Sequence, residues 1–489
     1  MYPNHLTIGC IWIIIFTETT ALNYLIAWYL KDMKKRYDTM RASEFLGKEK
    51  IGRILLKTAP PVMISQLIQA LYNIVDSLFV GKYSESGLTA LSIIFPIQLL
   101  MIALAMGCGV GLNTLMASRS GVGRSDEAKS LAGVGTPLAI ALWAVFATVC
   151  WFIMPAYARA STGSATVIND VVVYGRIVCV FSIGLFLESM WTNAIQSFGD
   201  MKTPMAAQIS GAVTNIILDP LLIFGLFGLP KMGMAGAAVA TVTGQMVAAL
   251  VVFKKGFFRS PPLSVYAGHI KMIFLAGLPG ILMRSAYTLY IFGLNLILAT
   301  FSDEAVTVLG LYYKWQTFFI IPLTAMQTCI VPIVSYNYAA GNYKRCKKTL
   351  NISVIFGCGV MLLGTLCFAF IPRQMLGLFS SDPAVIDIGG RAFPIIGLCY
   401  VPIVTSLIFP VFFQAVGQGV KSSLLTVIRT VFLFVPLGYL FSLIGLDYFW
   451  LTFPVTDTVT SIIGGGFYLA FCKRTDKKKV GILKSEICK

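Results

Sequence analysis

Residues 59–81 read APPVMISQLIQALYNIVDSLFVG, and this stretch decides the class of the chain. From Ala59 to Val75 no residue carries a formal charge, and Asp76 then sets a carboxylate among apolar side chains. A helix of this length crosses the roughly 30 Å hydrocarbon core of a bilayer at about 1.5 Å per residue. A carboxylate near the bilayer centre costs about 2.5–3.5 kcal/mol on insertion scales, so an acid at that depth is a functional residue by default.

The rest of the chain is built for the same solvent. Its 489 residues are 57% hydrophobic and 12% charged, with a mean hydropathy of +0.80, whereas ordinary soluble domains carry roughly 25% charged residues. Apolar runs recur near 57–80, 88–118, 128–155, 166–198, 203–228, 233–254, 270–300, 305–339, 345–371, 384–416, 420–444 and 447–472, which makes twelve spans. The expected fold is an all-α, multi-pass protein of the cell membrane. The net charge of +17 does not point to nucleic acid, because the basic residues lie in short segments between apolar runs. If the spans alternate from a cytoplasmic start, segments 31–57, 119–129, 254–271, 344–348 and 473–489, with Lys202 and Lys421, hold 29 of the 38 Lys and Arg residues. The opposite loops hold four, Lys82, Arg159, Lys231 and Arg373. That bias places both ends of the twelve-span core in the cytoplasm.

Eleven cysteines show no CxxC pattern; Cys108, Cys150, Cys179, Cys329, Cys358, Cys367 and Cys399 sit in apolar runs and read as small hydrophobes. His5 and His269 are the only histidines, too few for a histidine-based zinc site or a Ser-His-Asp triad. Residues 8–30 are also long enough to span, but the basic run that follows at 31–36 would put the amino terminus outside. They lack the basic start and small-residue cleavage site of a signal peptide. They are expected to be either an extra amino-terminal helix or a product of start-site choice, with Met33 as the working start.

An internal repeat runs through the spans. At a constant offset of 218 residues Pro61 matches Pro279, Tyr72 matches Tyr290, Gly123 matches Gly341, Gln196 matches Gln414 and Gly199 matches Gly417. Two pseudo-symmetric six-helix lobes are therefore expected, 45–255 and 269–475, joined by a basic linker at 256–268 and flanked by an extension at 1–44 and a basic tail at 476–489. Six spans per repeat give both lobes the same direction through the membrane, an arrangement that in transporters places the site between the repeats. Each lobe is complete, so a monomer is expected.

On a 3.6-residue period Ser65, Gln69, Tyr72 or Asn73, and Asp76 share one face of the first span, a polar stripe that must face protein or water. In the fifth span NIILD sets Asn215 four residues before Asp219, on one face, and ATVTG in the sixth sets Thr241 at a similar depth. These residues are expected to converge on one oxygen-rich pocket. Two carboxylates in a low-dielectric site do not both ionise without a cation, so the pocket suits a proton or a hard cation such as sodium. Structural hydrogen bonding between helices is the other reading of the same residues.

Pro61 placed fifteen residues before the acid of YNIVDSLFVG, followed by NIILDPLLIFG, GMAGAAVATVTGQ and VPIVSYNYAAGNYKR, resembles the multidrug and toxic compound extrusion (MATE) family, in its DinF-like branch. The likeness covers about residues 45–475. It implies twelve helices in two lobes, and export of mostly cationic, amphipathic organic compounds by alternating access in exchange for protons or sodium, with no cofactor. It implies that Asp76, Asn215, Asp219 and Thr241 form the coupling site, the sodium position if sodium is the ion, and that Pro61 marks a bend in the first helix. Some branches also carry acids in the seventh and tenth helices; here the seventh offers Arg284 and the stretch 394–414 has no acid.

Further intramembrane polar residues widen the candidate cavity to Gln69, Tyr72, Asn73, Glu188, Arg284, Tyr290 and Lys314. Arg429 and Asp457 either line it, sit near an interface or pair across helices. GCGVG at 107–111 lacks the preceding strand of a phosphate loop and reads as close helix packing. A lipid-linked oligosaccharide flippase of related architecture is the alternative function, against which stand the twelve spans and the basic tail directly after Cys472. An intramembrane enzyme lacks the catalytic cluster it would need.

Overall fold

The computed structural model describes residues 42–487; the stretch 8–30, and with it the question of an extra helix, lies outside them. The amino lobe comprises α1 (Ile51–Tyr83), α2 (Glu85–Gly121), α3 (Ser125–Ser161), α4 in two pieces (Ala165–Val180 and Ile183–Gln196), α5 (Lys202–Phe224) and α6 (Met234–Gly256). The carboxy lobe comprises α7 (Tyr266–Leu298), α8 (Asp303–Ala339), α9 (Tyr343–Phe370), α10 in two pieces (Pro383–Gly397 and Tyr400–Ala415), α11 (Gly419–Ser442) and α12 (Thr452–Ile487). Ten of these helices can cross a membrane alone, and twelve spans result when α4 and α10, bent by 41° and 54°, each count as one.

Span order follows the expectation; the breaks in α4 and α10 do not, because both were expected to be continuous. In α4 the Ser182 hydroxyl bonds back to the Cys179 carbonyl at 2.7 Å, the local competition that makes serine a helix interrupter. In α10 the Cys399 N–H takes the Ile396 carbonyl at 2.9 Å, a tighter turn than the α-helix allows.

The repeat is visible in the chain's punctuation. Ser84 caps α2 through the Gly87 N–H and Ser302, at the offset of 218, caps α8 through the Ala305 N–H, both at 3.2 Å. Gly123 and Gly341 have φ of 79° and 75°, and Gly199 and Gly417 87° and 74°, values that only glycine adopts freely. The breaks in α4 and α10 fall at equivalent places too.

Each lobe has its own apolar core, and the lobes join at one end of the bundle, the end that carries the basic segments. There α2 lies so close to α7 that a Cβ on Gly277 would sit 2.6 Å from the Gly107 carbonyl oxygen and one on Gly107 2.8 Å from the Ile281 backbone nitrogen. GCGVG is thus a helix-packing motif. Between α1 and α8 a third cluster, including Ile54, Leu55, Ala59, Ala325, Met326 and Cys329, closes the same end, and Thr324 donates to Gln66 above it. The short helix Ala42–Lys48 is held from the carboxy lobe, where Arg345 donates to the Leu46 and Glu49 carbonyls at 3.0 and 2.7 Å and Asn337 to Leu46 at 3.0 Å.

Two helical turns beyond each contact the same faces are exposed: Asn73 beyond Gln66, Leu100 beyond Gly107, Arg284 beyond Gly277 and Thr317 beyond Thr324. The lobes therefore splay away from the basic end, leaving a cleft between them.

Candidate functional site

α1, α5 and α6 bring the expected quartet together in the amino lobe. Close approach of Gly211 in α5 to Gly244 in α6, where a Cβ on either would meet the other's carbonyl at 2.7 Å, seats Asn215 against α6. Asp219 is fully buried and Asn215 nearly so, while Asp76 is half-buried and Asn73 exposed. The Asp76 and Asp219 carboxyls face one another within hydrogen-bonding range, and the Asn215 amide approaches Asp219 Oδ1 at 3.5 Å. Asp76 Oδ1, Asn215 Oδ1 and Asp219 Oδ2 have no hydrogen-bond donor. Three orphaned buried acceptors in one pocket are costly unless something positive fills them.

Thr241 spends its hydroxyl proton on the Ala237 carbonyl at 3.0 Å, leaving its lone pairs free. It also meets the Tyr174 hydroxyl, to which Gln98 donates at 3.4 Å. Tyr174 and Gln98 escaped the sequence reading; their only signal was a polar side chain within an apolar run. Tyr72 lies near Gln69, the aspartate pair and Glu188. Glu188 is buried and accepts from Thr192 at 2.8 Å and Gln208 at 3.1 Å, with no cation paired to it among the described residues. Pro61 is buried within α1, which stays a single helix through Pro60 and Pro61.

A family model described as MatE matches residues 61–221 and again residues 279–440. The chain belongs to the MATE family. The two matches begin 218 residues apart, the offset of the repeat. Membership makes the chain a multi-pass membrane transporter and not an enzyme. It is 27% identical over 435 residues to the "FAD transporter" of Shewanella oneidensis, covering 86% of this chain and 94% of that protein. To the "Probable multidrug resistance protein YoeA" of Bacillus subtilis it is 22% identical over 443 residues, with the same coverage of 86% and 94%. To the "Multidrug export protein MepA" of Staphylococcus aureus it is 24% identical over 419 residues, covering 82% and 90%. A solved structure described as the outward-facing conformation of a MATE family multidrug resistance transporter superposes with a TM-score of 0.83 at 22% identity, over 90% of this chain and 99% of that one.

In the carboxy lobe of this MATE transporter the expected cavity residues part company. Arg284 lies on the cleft face of α7. Tyr290, expected to line the cavity, is instead buried in the lobe, stacked on Phe434 with centroids 4.4 Å apart; its ring fills space that helix packing requires. Lys314 is exposed with its ammonium 5.2 Å from the Phe379 ring centroid, towards the end remote from the basic segments. Arg429 and Asp457 pair across helices: Arg429 Nε donates to Asp457 Oδ1 at 2.7 Å, both groups buried, and Ser406 donates to the same oxygen at 2.6 Å. Arg429 projects from a π-helical stretch of α11, Ile428–Phe434, a widened turn that often marks sites under functional or packing constraint.

Proposed function

We propose that this MATE transporter is a secondary antiporter that exports amphipathic organic compounds in exchange for protons or sodium ions. The carrying observation is the set of donorless oxygens on Asp76, Asn215 and Asp219. A proton shared between the two carboxyls, or a sodium ion held by them with Asn215 and Thr241, supplies the missing positive charge. With the basic end in the cytoplasm the cleft opens outward, the state in which the pocket loads its ion from outside. Loading halves the negative charge that two ionised carboxylates would carry and so changes the relative stability of the outward-open and inward-open states; only such differential affinity lets an ion drive the cycle. A bend of α1 at Pro61 is the proposed means by which loading changes the pocket's shape. Cationic cargo is drawn to the same acid-bearing lobe, where Asp76 and Glu188 compete for it with the coupling ion. No partner protein is required, and each chain acts as a monomer.

The test is transport by purified protein in liposomes, following ethidium under an imposed pH gradient or an imposed sodium gradient. One gradient is expected to drive dye movement, naming the ion, and Asp76→Asn is expected to abolish that movement while inserting and folding as wild type does. Equal dye movement in Asp76→Asn and wild type would refute the coupling role. No movement under either gradient would turn the search to lipid-linked oligosaccharide.

A further inference from the structure

In the amino-lobe pocket three acceptor atoms have no donor; on the opposite wall of the cleft a guanidinium has no acceptor among the described residues. Arg284 stands near the middle of the 33-residue helix α7, where an arginine costs about 2.5–3.5 kcal/mol on insertion scales. It makes no ion pair or hydrogen bond with any described residue. It does not face lipid: on α7 it shares a face with Gly277, Gly280 and Ile281, the face that meets α2, whereas Leu289, Phe292 and Leu296, at 65%, 63% and 56% exposure, mark the lipid side. The repeat gives the same answer. The counterpart of Arg284 at the offset of 218 is Gln66, which reaches across the lobe boundary to Thr324; the counterpart of Thr324 on α2 is Met106, which has nothing to offer a guanidinium. Arg284 thus ends at the floor of the cleft with five donors and no partner.

One turn further on the same face, Tyr287 is 37% exposed, braced edge-on by Tyr290 at 5.3 Å and Tyr313 at 6.5 Å. Thr288, four residues from Arg284 and so also one turn away, has a hydroxyl with no partner. A guanidinium fork beside a rigid ring edge suits a planar anion carried on an aromatic body, held bidentately by the arginine with its ring against the tyrosine.

We infer that Arg284 and Tyr287 form a recognition site for an anionic group, a carboxylate or phosphate, borne by an aromatic cargo. The cleft is then bipolar: the amino lobe takes the coupling ion and positive groups, and the carboxy-lobe wall takes negative ones. This rests on the reading of the chain as an exporter for its biological meaning, but the binding itself does not depend on ion coupling.

Equilibrium binding to the purified full chain, with no gradient present, tests it. The probes are carboxyfluorescein, an aromatic anion, and ethidium, an aromatic cation, each read by fluorescence anisotropy. Arg284→Gln, which removes the charge but keeps a polar stem, is expected to weaken carboxyfluorescein at least tenfold and leave ethidium within about threefold of wild type. Loss of both dyes together, or of neither, overturns the proposal. If Arg284→Gln does not fold, wild type decides by displacement of bound carboxyfluorescein: benzoate is expected to compete at least tenfold more tightly than neutral benzamide, and equal competition overturns it. Failure of gradient-driven transport with these binding results intact would indict the antiport reading and not this site.

Discussion

The two lobes share a fold and a repeat but keep their buried charge in opposite ways. In the amino lobe Asp76, Asp219 and Glu188 are three acids with no basic partner among the described residues, satisfied only in part by Thr192, Gln208 and Asn215. At the offset of 218 their counterparts are Leu294, Leu437 and Ser406. The carboxy lobe instead carries one buried acid, Asp457, neutralised by Arg429 and anchored by Ser406; the counterparts of Arg429 and Asp457 are Gly211 and Val239. A group left without its counterion is available to a mobile one, whereas a closed ion pair is committed to structure. On the proposed antiport reading, the duplication produced one lobe that changes its charge state and one that holds its shape.

The largest effect expected from breaking this contrast falls on the carboxy-lobe pair. Arg429→Leu leaves Asp457 buried and uncompensated, which costs about 3–5 kcal/mol, and the thermal melt of the purified protein should fall by many degrees. Arg429→Leu combined with Asp457→Leu should recover most of that loss, because the apolar pair carries no desolvation penalty. Asp76→Asn, by contrast, should melt close to wild type, since it removes a charge that had no partner. If Asp76→Asn and Arg429→Leu destabilise alike, the division into a chargeable lobe and a locked one is wrong.

What the sequence could disclose follows the same division. Asp76, Asn215 and Asp219 were legible because a lone acid in an apolar run and an i, i+4 pair carry their own spacing, and two glycines framing GCGVG announced close packing. The Arg429–Asp457 pair was not, because 28 residues and a helix boundary separate its members and no periodicity links α11 to α12. Tyr174 and Gln98 were missed for a similar reason: each is one polar tip on an apolar helix, and only the breaks and turns that orient α4 against α2 and α6 bring them to the site. Tyr290 misled because a tyrosine in an apolar run does not announce whether its ring lines a cavity or a core, and here Phe434 stacks on it at 4.4 Å. The direction of Arg284 needed the α2–α7 contact, which no local pattern contains.

A middle-sized effect distinguishes the two seams that close the basic end. The α2–α7 seam is backbone on backbone, so Gly277→Ala, whose new methyl would meet the Gly107 carbonyl oxygen at 2.6 Å, should cost about 1–3 kcal/mol by overpacking. Gly280→Ala, where the nearest atom is the Gln414 amide nitrogen at 3.4 Å, should melt within about a degree or two of wild type. Equal melts for the two variants would mean that the seam yields more readily than its geometry implies.

The smallest effect belongs to the α1–α8 seam, which is made of side chains and so can part without moving backbone into backbone. Gln66→Ala removes the one described hydrogen bond between α1 and α8 near the cleft floor, a net contribution of about 0.5–1.5 kcal/mol. If that bond favours the state closed at the basic end, its loss raises the open population about two- to twelvefold. Cys329 reports on this directly, because its free thiol is fully buried in the cluster beneath the bond. Its rate of maleimide labelling, followed by mass spectrometry on protein in liposomes, should rise by that factor in Gln66→Ala and stay at the wild-type value in Gly280→Ala. An unchanged rate in Gln66→Ala would locate the restraint in the α2–α7 glycines alone, and would make the side-chain seam a passive follower of the backbone one.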